Sequence, residues 1–302
     1  MSKFFLLTTF TTILLYSCNT SNRNSDKIEN KDILTHENIN INSDTTVDSI
    51  LIHFWDNFNF NNPQLATSSD YGEQHFANFI NLFPQSKKVN ISKGINSLLE
   101  KSAKHKSVLL YFEELFNKYL YDVNSPFYNE DYYIITLEQF INSDYIIQSN
   151  KIIYRIKLEI ANKNRQGDLA TNFTFYFNRK TYSLYDVYDD YVILFFYVPG
   201  CKACEHNIRM LKSNSEFKKY LSNKTTILAL YTDGNKEIWE NYAHNIPSNW
   251  INGIDLKQEI LKKGLYDLKA SPTIYLLDKH KRVLLKDTNL KDLLYYMENH
   301  IK

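Results

Sequence analysis

The chain has 302 residues, 43% hydrophobic and 15% aromatic, with 35 Lys and Arg against 34 Asp and Glu for a formal net charge of +1. That length suits two domains of ordinary size, and seven glycines and six prolines argue against low complexity or a turn-rich all-β design. Interspersed, balanced charge excludes the basic stripe of a nucleic-acid binder, so nucleic acid is not an expected partner.

Met1-Ser-Lys gives a positive start, and Phe4 to Leu15 is an apolar stretch. It is too short for a bilayer span of about 20 residues but suits a signal-peptide core. The stretch closes in Leu15-Tyr16-Ser17-Cys18, which resembles a bacterial lipobox. The resemblance implies a leader over 1–17, removed on export, and a lipid anchor on Cys18 as the attachment to a membrane. An ordinary signal peptide with an incidental cysteine is the alternative. Either way the compartment is the cell envelope or periplasm, where thiols are oxidised unless something reduces them. Residues 18–46, rich in Asn, Ser, Asp and Lys, read as a flexible tether.

From 47 to 165 the pattern is mainly helical. His53 to Phe60 is dense in aromatics, and Glu73 to Leu82 carries Phe76, Phe79, Ile80 and Leu82 before Pro84. Ile91 to Ala103 and Val108 to Tyr121 show three- and four-residue apolar spacing. Asn129 is placed to cap a further helix, with Glu130 and Asp131 favouring its positive end. Another apolar stretch runs from Ile146 to Ile160. The polar break Asn162 to Asp168 marks the domain boundary.

Over 170–302 the order is α/β. Thr171 to Phe177 and Tyr182 to Val187 form a hairpin. Tyr191 to Val198 is a strand buried on both faces, ended by Pro199-Gly200. Cys201-Lys-Ala-Cys204 then opens a helix reaching about Leu221. Thr225 to Tyr231 is a second buried strand, Lys236 to Ala243 and Leu256 to Lys263 are helices, and Ile274 to Asp278 is a strand. Arg282 to Lys286 and a helix over Leu290 to Ile301 close the chain. Trp55, Trp239 and Trp250 are expected in cores, and Lys202 and His206 on the surface.

Backbone N–H groups at a helix N-terminus stabilise negative charge, the setting in which a cysteine works as a nucleophilic thiolate. A second cysteine three residues on lies on the same face and within disulfide reach. A static disulfide or half a zinc site is the competing reading. Zinc needs about four ligands, and only His206 lies near in sequence, so no metal or other cofactor is expected. The carboxylates form no pair suited to hydrolysis, and no G-x-S-x-G or glycine-rich phosphate loop occurs.

These features make residues 170–302 resemble the thioredoxin-like fold in its exported TlpA/ResA-like form, a mixed sheet flanked by helices. The resemblance rests on Ala170-Thr-Asn-Phe-Thr-Phe with its hairpin, on the strand with Cys201-Lys-Ala-Cys204, on Leu265 to Ile274, and on the closing hairpin and helix. It implies a thiol–disulfide oxidoreductase with Cys201 as nucleophile and Cys204 as resolving thiol. Ser271, Pro272 and Thr273 would form a cis-proline loop whose backbone pairs with an extended substrate. The implied partners are a protein or peptide disulfide and an electron donor in the membrane. A binding or scaffold lipoprotein with a non-catalytic thioredoxin-like half is the alternative. Residues 47–165 resemble an uncharacterised helical domain found ahead of thioredoxin-like domains in bacterial lipoproteins, which implies architecture but no chemistry. Two positions depart from the pattern. Thioredoxin's buried aspartate is replaced by Phe195, and the ResA-like glutamate after the second cysteine by Asn207.

Overall fold

Apolar residues at helical spacing produce helices from Val47 onward. A computed structural model describes residues 46–221 and 224–300. Its first half holds α1 (Val47–His53), α2 (Pro63–Ala66), α3 (Gln74–Ile80), α4 (Lys88–Ser102), α5 (Lys106–Phe116), α6 (Glu130–Asn142) and α7 (Gln148–Ala161). Side chains of Thr46, Asn62 and Asn129 accept N–H groups of the first turns of α1, α2 and α6, which satisfies donors left over at helix starts. Trp55, fully buried, is the hub of one core. The rings of Phe54, Phe58, Phe60, Phe79 and Phe112 lie between 5.1 and 6.0 Å from it, the range of edge-on and tilted aromatic packing.

The second half builds one seven-stranded mixed sheet. Its elements are β1 (Thr174–Phe177), β2 (Lys180–Ser183), β3 (Tyr191–Tyr197), α8 (Lys202–Ser213), α9 (Ser215–Leu221), β4 (Thr225–Tyr231), α10 (Lys236–Tyr242), β5 (Ile251–Ile254), α11 (Glu259–Lys262), β6 (Thr273–Asp278), β7 (Val283–Leu285) and α12 (Leu290–His300). The strand order is β2-β1-β5-β4-β3-β6-β7. β3 lies inside it, parallel to β4 and antiparallel to β6. Its side chains alternate between two cores, as the two-residue period requires. Ile193, Phe195 and Tyr197 face residues of α8, α9, α10 and α12, while Val192, Leu194 and Phe196 face Phe173, Phe175, Tyr266 and Tyr275.

Several elements differ from the sequence reading. The helix expected over Leu256 to Lys263 is only Glu259–Lys262, behind Gln258 in the left-handed region, and the strand expected from Thr171 starts at Thr174. The helix expected over Cys201 to Leu221 breaks at Asn214, which turns extended and accepts the Glu216 N–H at 2.8 Å, capping a new helix. The second hairpin strand ends at Ser183 instead of Val187, because Ser183 and Asp186 form a capping box that starts a 3-10 turn. Strand β5 was not anticipated. It pairs in parallel with β4 and joins β1 through Tyr176 and Ile254. Gly253 inside it is required, since a Cβ there would come within 2.7 Å of the Phe175 ring.

The expected leader, Cys18 and the tether up to residue 45 lie outside the described residues. The described residues form one compact unit. The polar stretch expected as a boundary is tied down within it: Asn164 is buried, donates to the Leu265 carbonyl at 2.8 Å and accepts the Thr171 N–H at 2.7 Å. Among the described residues no helix is long and apolar enough to cross a membrane.

Candidate dithiol site

The site is assembled at the C-terminal end of β3, where the strand gives way to a helix. Cys201 N–H donates to the Val198 carbonyl at 3.1 Å across Pro199 and Gly200. Gly200 has φ +79°, a left-handed position that glycine adopts without steric cost. Proline followed by such a glycine suits a type II turn. The turn sets Cys201 as the N-cap of α8, and its sulfur accepts the Cys204 N–H at 3.2 Å. Sulfur thus occupies the place that a capping oxygen normally fills, against the positive end of the helix.

The two cysteines are both free but differ in setting. Cys201 is half-buried, and its thiol donates to the Ser271 carbonyl at 3.5 Å. Cys204 is fully buried. Burial, reinforced by its interaction with Cys201, pushes the Cys204 thiol up to about 12. Phe195 and Tyr197 belong to the same buried cluster as Cys204. The aromatic ring of Phe195 packs on Trp250 at 5.9 Å, so the position of thioredoxin's acid is dry hydrocarbon. Asn207 spends its amide on the Ala203 carbonyl at 2.8 Å.

Facing Cys201 is the loop before β6. The Ser271–Pro272 peptide bond is cis. Ser271 is exposed and Pro272 half-buried, whereas Thr273 is buried, with its hydroxyl donating to the Ala270 carbonyl at 2.7 Å. The structure therefore brings Cys201, Cys204 and Ser271 together with Pro272, and turns the Thr273 side chain inward to close the loop. A cleft of about 180 Å³ lies beside Ser271, lined in part by Phe196, Val198, Leu261, Leu268 and Ala270. Lys202 and His206 are exposed. Among the described residues no group of three or more His, Cys, Asp or Glu is gathered to hold a metal ion.

Two features were not reached from sequence. Asn252, on the unanticipated β5, accepts from the Tyr197 hydroxyl at 2.8 Å and from the Trp239 indole at 3.0 Å, fixing the aromatic floor under the dithiol. Tyr242 stacks on Tyr197 at 5.8 Å, and its buried hydroxyl finds no hydrogen-bond partner. Burial, followed by the nearby Glu205, Cys204 and Cys201, raises that hydroxyl's pKa. The three-residue spacing of Trp239 and Tyr242 on α10 was the available signal, since it puts both on one helix face.

Residues 43–164 match the family described as domain of unknown function DUF5106. A thioredoxin-like protein of Bacteroides caccae, known from its crystal structure, is 35% identical; the match covers 84% of this chain and 92% of that one, with a TM-score of 0.73. The C-terminal domain of an uncharacterized Bacteroides fragilis protein is 37% identical, with 45% of this chain and 98% of that one covered and a TM-score of 0.44. The thioredoxin domain of a thiol-disulfide oxidoreductase from Bacteroides vulgatus is 22% identical over 46% of this chain and 99% of that one, at a TM-score of 0.39. None of the curated proteins matches the chain. With the Bacteroides caccae match spanning most of both chains and DUF5106 matching the first half, the chain belongs to the thioredoxin-like family and carries a DUF5106 domain ahead of its thioredoxin-like fold.

Proposed function

We propose that the protein is a thiol–disulfide oxidoreductase of the cell envelope, held to a membrane by lipid on Cys18, that reduces protein or peptide disulfides. The observation that carries this reading is the presentation of Cys201: a half-buried sulfur at a helix start, 3.2 Å from the Cys204 N–H and 3.5 Å from the Ser271 carbonyl. The Cys201 thiolate attacks one sulfur of a substrate disulfide. That S–S bond breaks, and the departing thiolate takes a proton from solvent. Cys204, after losing its proton, attacks the Cys201 sulfur and expels the second substrate thiol, leaving a Cys201–Cys204 disulfide. Two electrons have then moved from protein to substrate, and a dithiol donor in the membrane restores the pair. The backbone at exposed Ser271 and half-buried Pro272 is where an extended substrate segment would pair.

Cys204→Ser stops the second step. Mixed disulfides with Cys201 should then accumulate in cells, as adducts removed by a reducing agent. No adduct on a folded Cys204→Ser protein would sink the reading.

The dry setting of Cys204 favours a second reading, a scaffold or binding lipoprotein whose thioredoxin-like half does no chemistry. The reduction potential separates the two, because inert structural disulfides lie below about −300 mV.

A pH profile follows from the raised Cys204 thiol. The thiolate is the reactive form, so its fraction rises with pH everywhere below the raised pKa. In the mixed disulfide Cys201 no longer carries a thiol, but the burial of Cys204 remains. The resolving step should therefore speed up by about tenfold per pH unit from neutral into alkaline solution. Following the decay of a preformed mixed disulfide checks this, and a flat profile would show that burial does not control the step.

A further inference from the structure

We propose that the helical DUF5106 domain braces the substrate-facing loop of the dithiol site, with Lys269 as the positioning residue through which it holds Ser271 and Pro272 against Cys201. The proposal rests on the oxidoreductase reading for its consequence in catalysis, but its structural content stands apart from it.

The loop between α11 and β6, residues 265–272, has no regular structure of its own. Within its own half, Tyr266 is buried in the core and donates its hydroxyl to the Thr171 carbonyl at 2.7 Å, and further polar fastenings come from the other half of the chain. Lys163 donates to the Gly264 carbonyl at 3.1 Å and Asn164 to the Leu265 carbonyl at 2.8 Å. The Tyr121 hydroxyl donates to Asp267 at 2.9 Å. Lys269 donates to the Tyr128 hydroxyl at 2.9 Å and to Glu130, in the first turn of α6, at 3.2 Å. Within its own half Lys269 meets Asp267 at 3.3 Å and Asp287 at 3.5 Å. Its side chain is only 3% exposed.

Around this ammonium the chain gathers three carboxylates and a second lysine. Lys286 pairs with the other oxygen of Glu130 at 2.9 Å and donates to the carbonyls of Ala161 and Lys163, both at 2.8 Å. Glu130 thus bridges two lysines of the thioredoxin-like half from the helical half. Burial opposes the charge on Lys269, but Asp267 and Glu130 outweigh it and hold the ammonium well above its ordinary range. A buried charge set of this kind tolerates little displacement, because any partner that moves away leaves an uncompensated charge.

The placement matters because Lys269 is two residues before Ser271, whose carbonyl meets the Cys201 thiol. Ala270 between them accepts the Thr273 hydroxyl at 2.7 Å, so the segment from Lys269 to Thr273 is one short closed turn. Its near end is anchored in the helical half and its far end in β6. The backbone left exposed between the anchors is the part a substrate would pair with.

The test uses the full-length chain with Lys269→Met, which keeps side-chain bulk and drops the charge, and Tyr128→Phe, which removes one hydroxyl. Amide hydrogen exchange over residues 268–273 should accelerate by roughly tenfold in Lys269→Met, with a smaller rise in Tyr128→Phe. With a peptide disulfide as substrate, KM should rise about tenfold, the size of one lost loop hydrogen bond, while alkylation of Cys201 by iodoacetamide should not fall, because that reagent does not pair with the loop and release of the Ser271 carbonyl frees the thiol. Lys269→Arg should restore much of the exchange protection. Unchanged exchange in both folded variants overturns the brace, as does a fall in alkylation that parallels the rise in KM. If Lys269→Met does not fold, Tyr128→Phe decides on the same readouts. A wild-type protein that reduced no disulfide would overturn the oxidoreductase reading alone, since the exchange measurement needs no activity.

Discussion

Cys201→Ser is expected to lower disulfide reduction by about three orders of magnitude or more, because a serine hydroxyl is not ionised near neutral pH and does not open a disulfide. The same substitution should leave the fold intact. Serine is among the best N-cap residues, and its oxygen would take over the Cys204 N–H that the sulfur now accepts at 3.2 Å. Loss of activity can therefore be separated from loss of structure: reduction of a peptide disulfide disappears while the thermal midpoint stays put. A Cys201→Ser protein that still reduced the peptide would remove Cys201 from the reaction altogether.

Phe195→Asp, which would put thioredoxin's acid back, is expected to cost more than about 5 kcal/mol. Truncating a buried Phe costs about 3–5 kcal/mol, and an unpaired carboxylate in the same place adds a penalty of several more. Phe195 is fully buried on β3, between Ala229 of β4 and Ile274 of β6, with Trp250 against its ring. None of these neighbours carries a positive charge to pair with a carboxylate. Against a total stability on the order of 5–15 kcal/mol, the variant should lose cooperative folding or melt at least about 10 °C lower. Calorimetry decides it. A shift of only a few degrees would mean that water reaches the site and that the dithiol is less dry than its burial indicates. In the proposed reaction the Cys204 proton would leave by another route than an acid on β3.

Much of the site could be read in the sequence because it is local. Strand, Pro-Gly turn, Cys201 and Cys204 fall within fourteen residues, 191–204, and each step follows from residue type. The Ser271–Pro272 turn carries its own mark for the same reason. The helical half was legible as elements, since Leu109, Phe112, Leu115 and Phe116 repeat at helical spacing and Asn129 announces a helix start. What escaped depends on contacts between distant positions. β5 is four residues long with a glycine inside, so no local preference argues for a strand; its partners β4 and β1 create it. Asn214 broke a helix through a cap that competes with continuation only weakly in isolation. Glu130 and Lys269 stand 139 positions apart, and nothing at either position announces the other.

The bridging of two lysines by Glu130 also has a consequence for heredity. A chain whose halves share a buried set of charges cannot accept substitutions in one half independently of the other. Replacing Glu130 alone takes away the carboxylate that pairs with Lys286, and replacing Lys269 alone takes away the cation that pairs with Asp267 and Asp287, so tolerated changes at these positions must arrive as matched sets. Related chains should therefore vary together at 130, 267, 269, 286 and 287. A chimera that joins the helical half of one relative to the thioredoxin-like half of another should fold well only when both donors agree at those five sites.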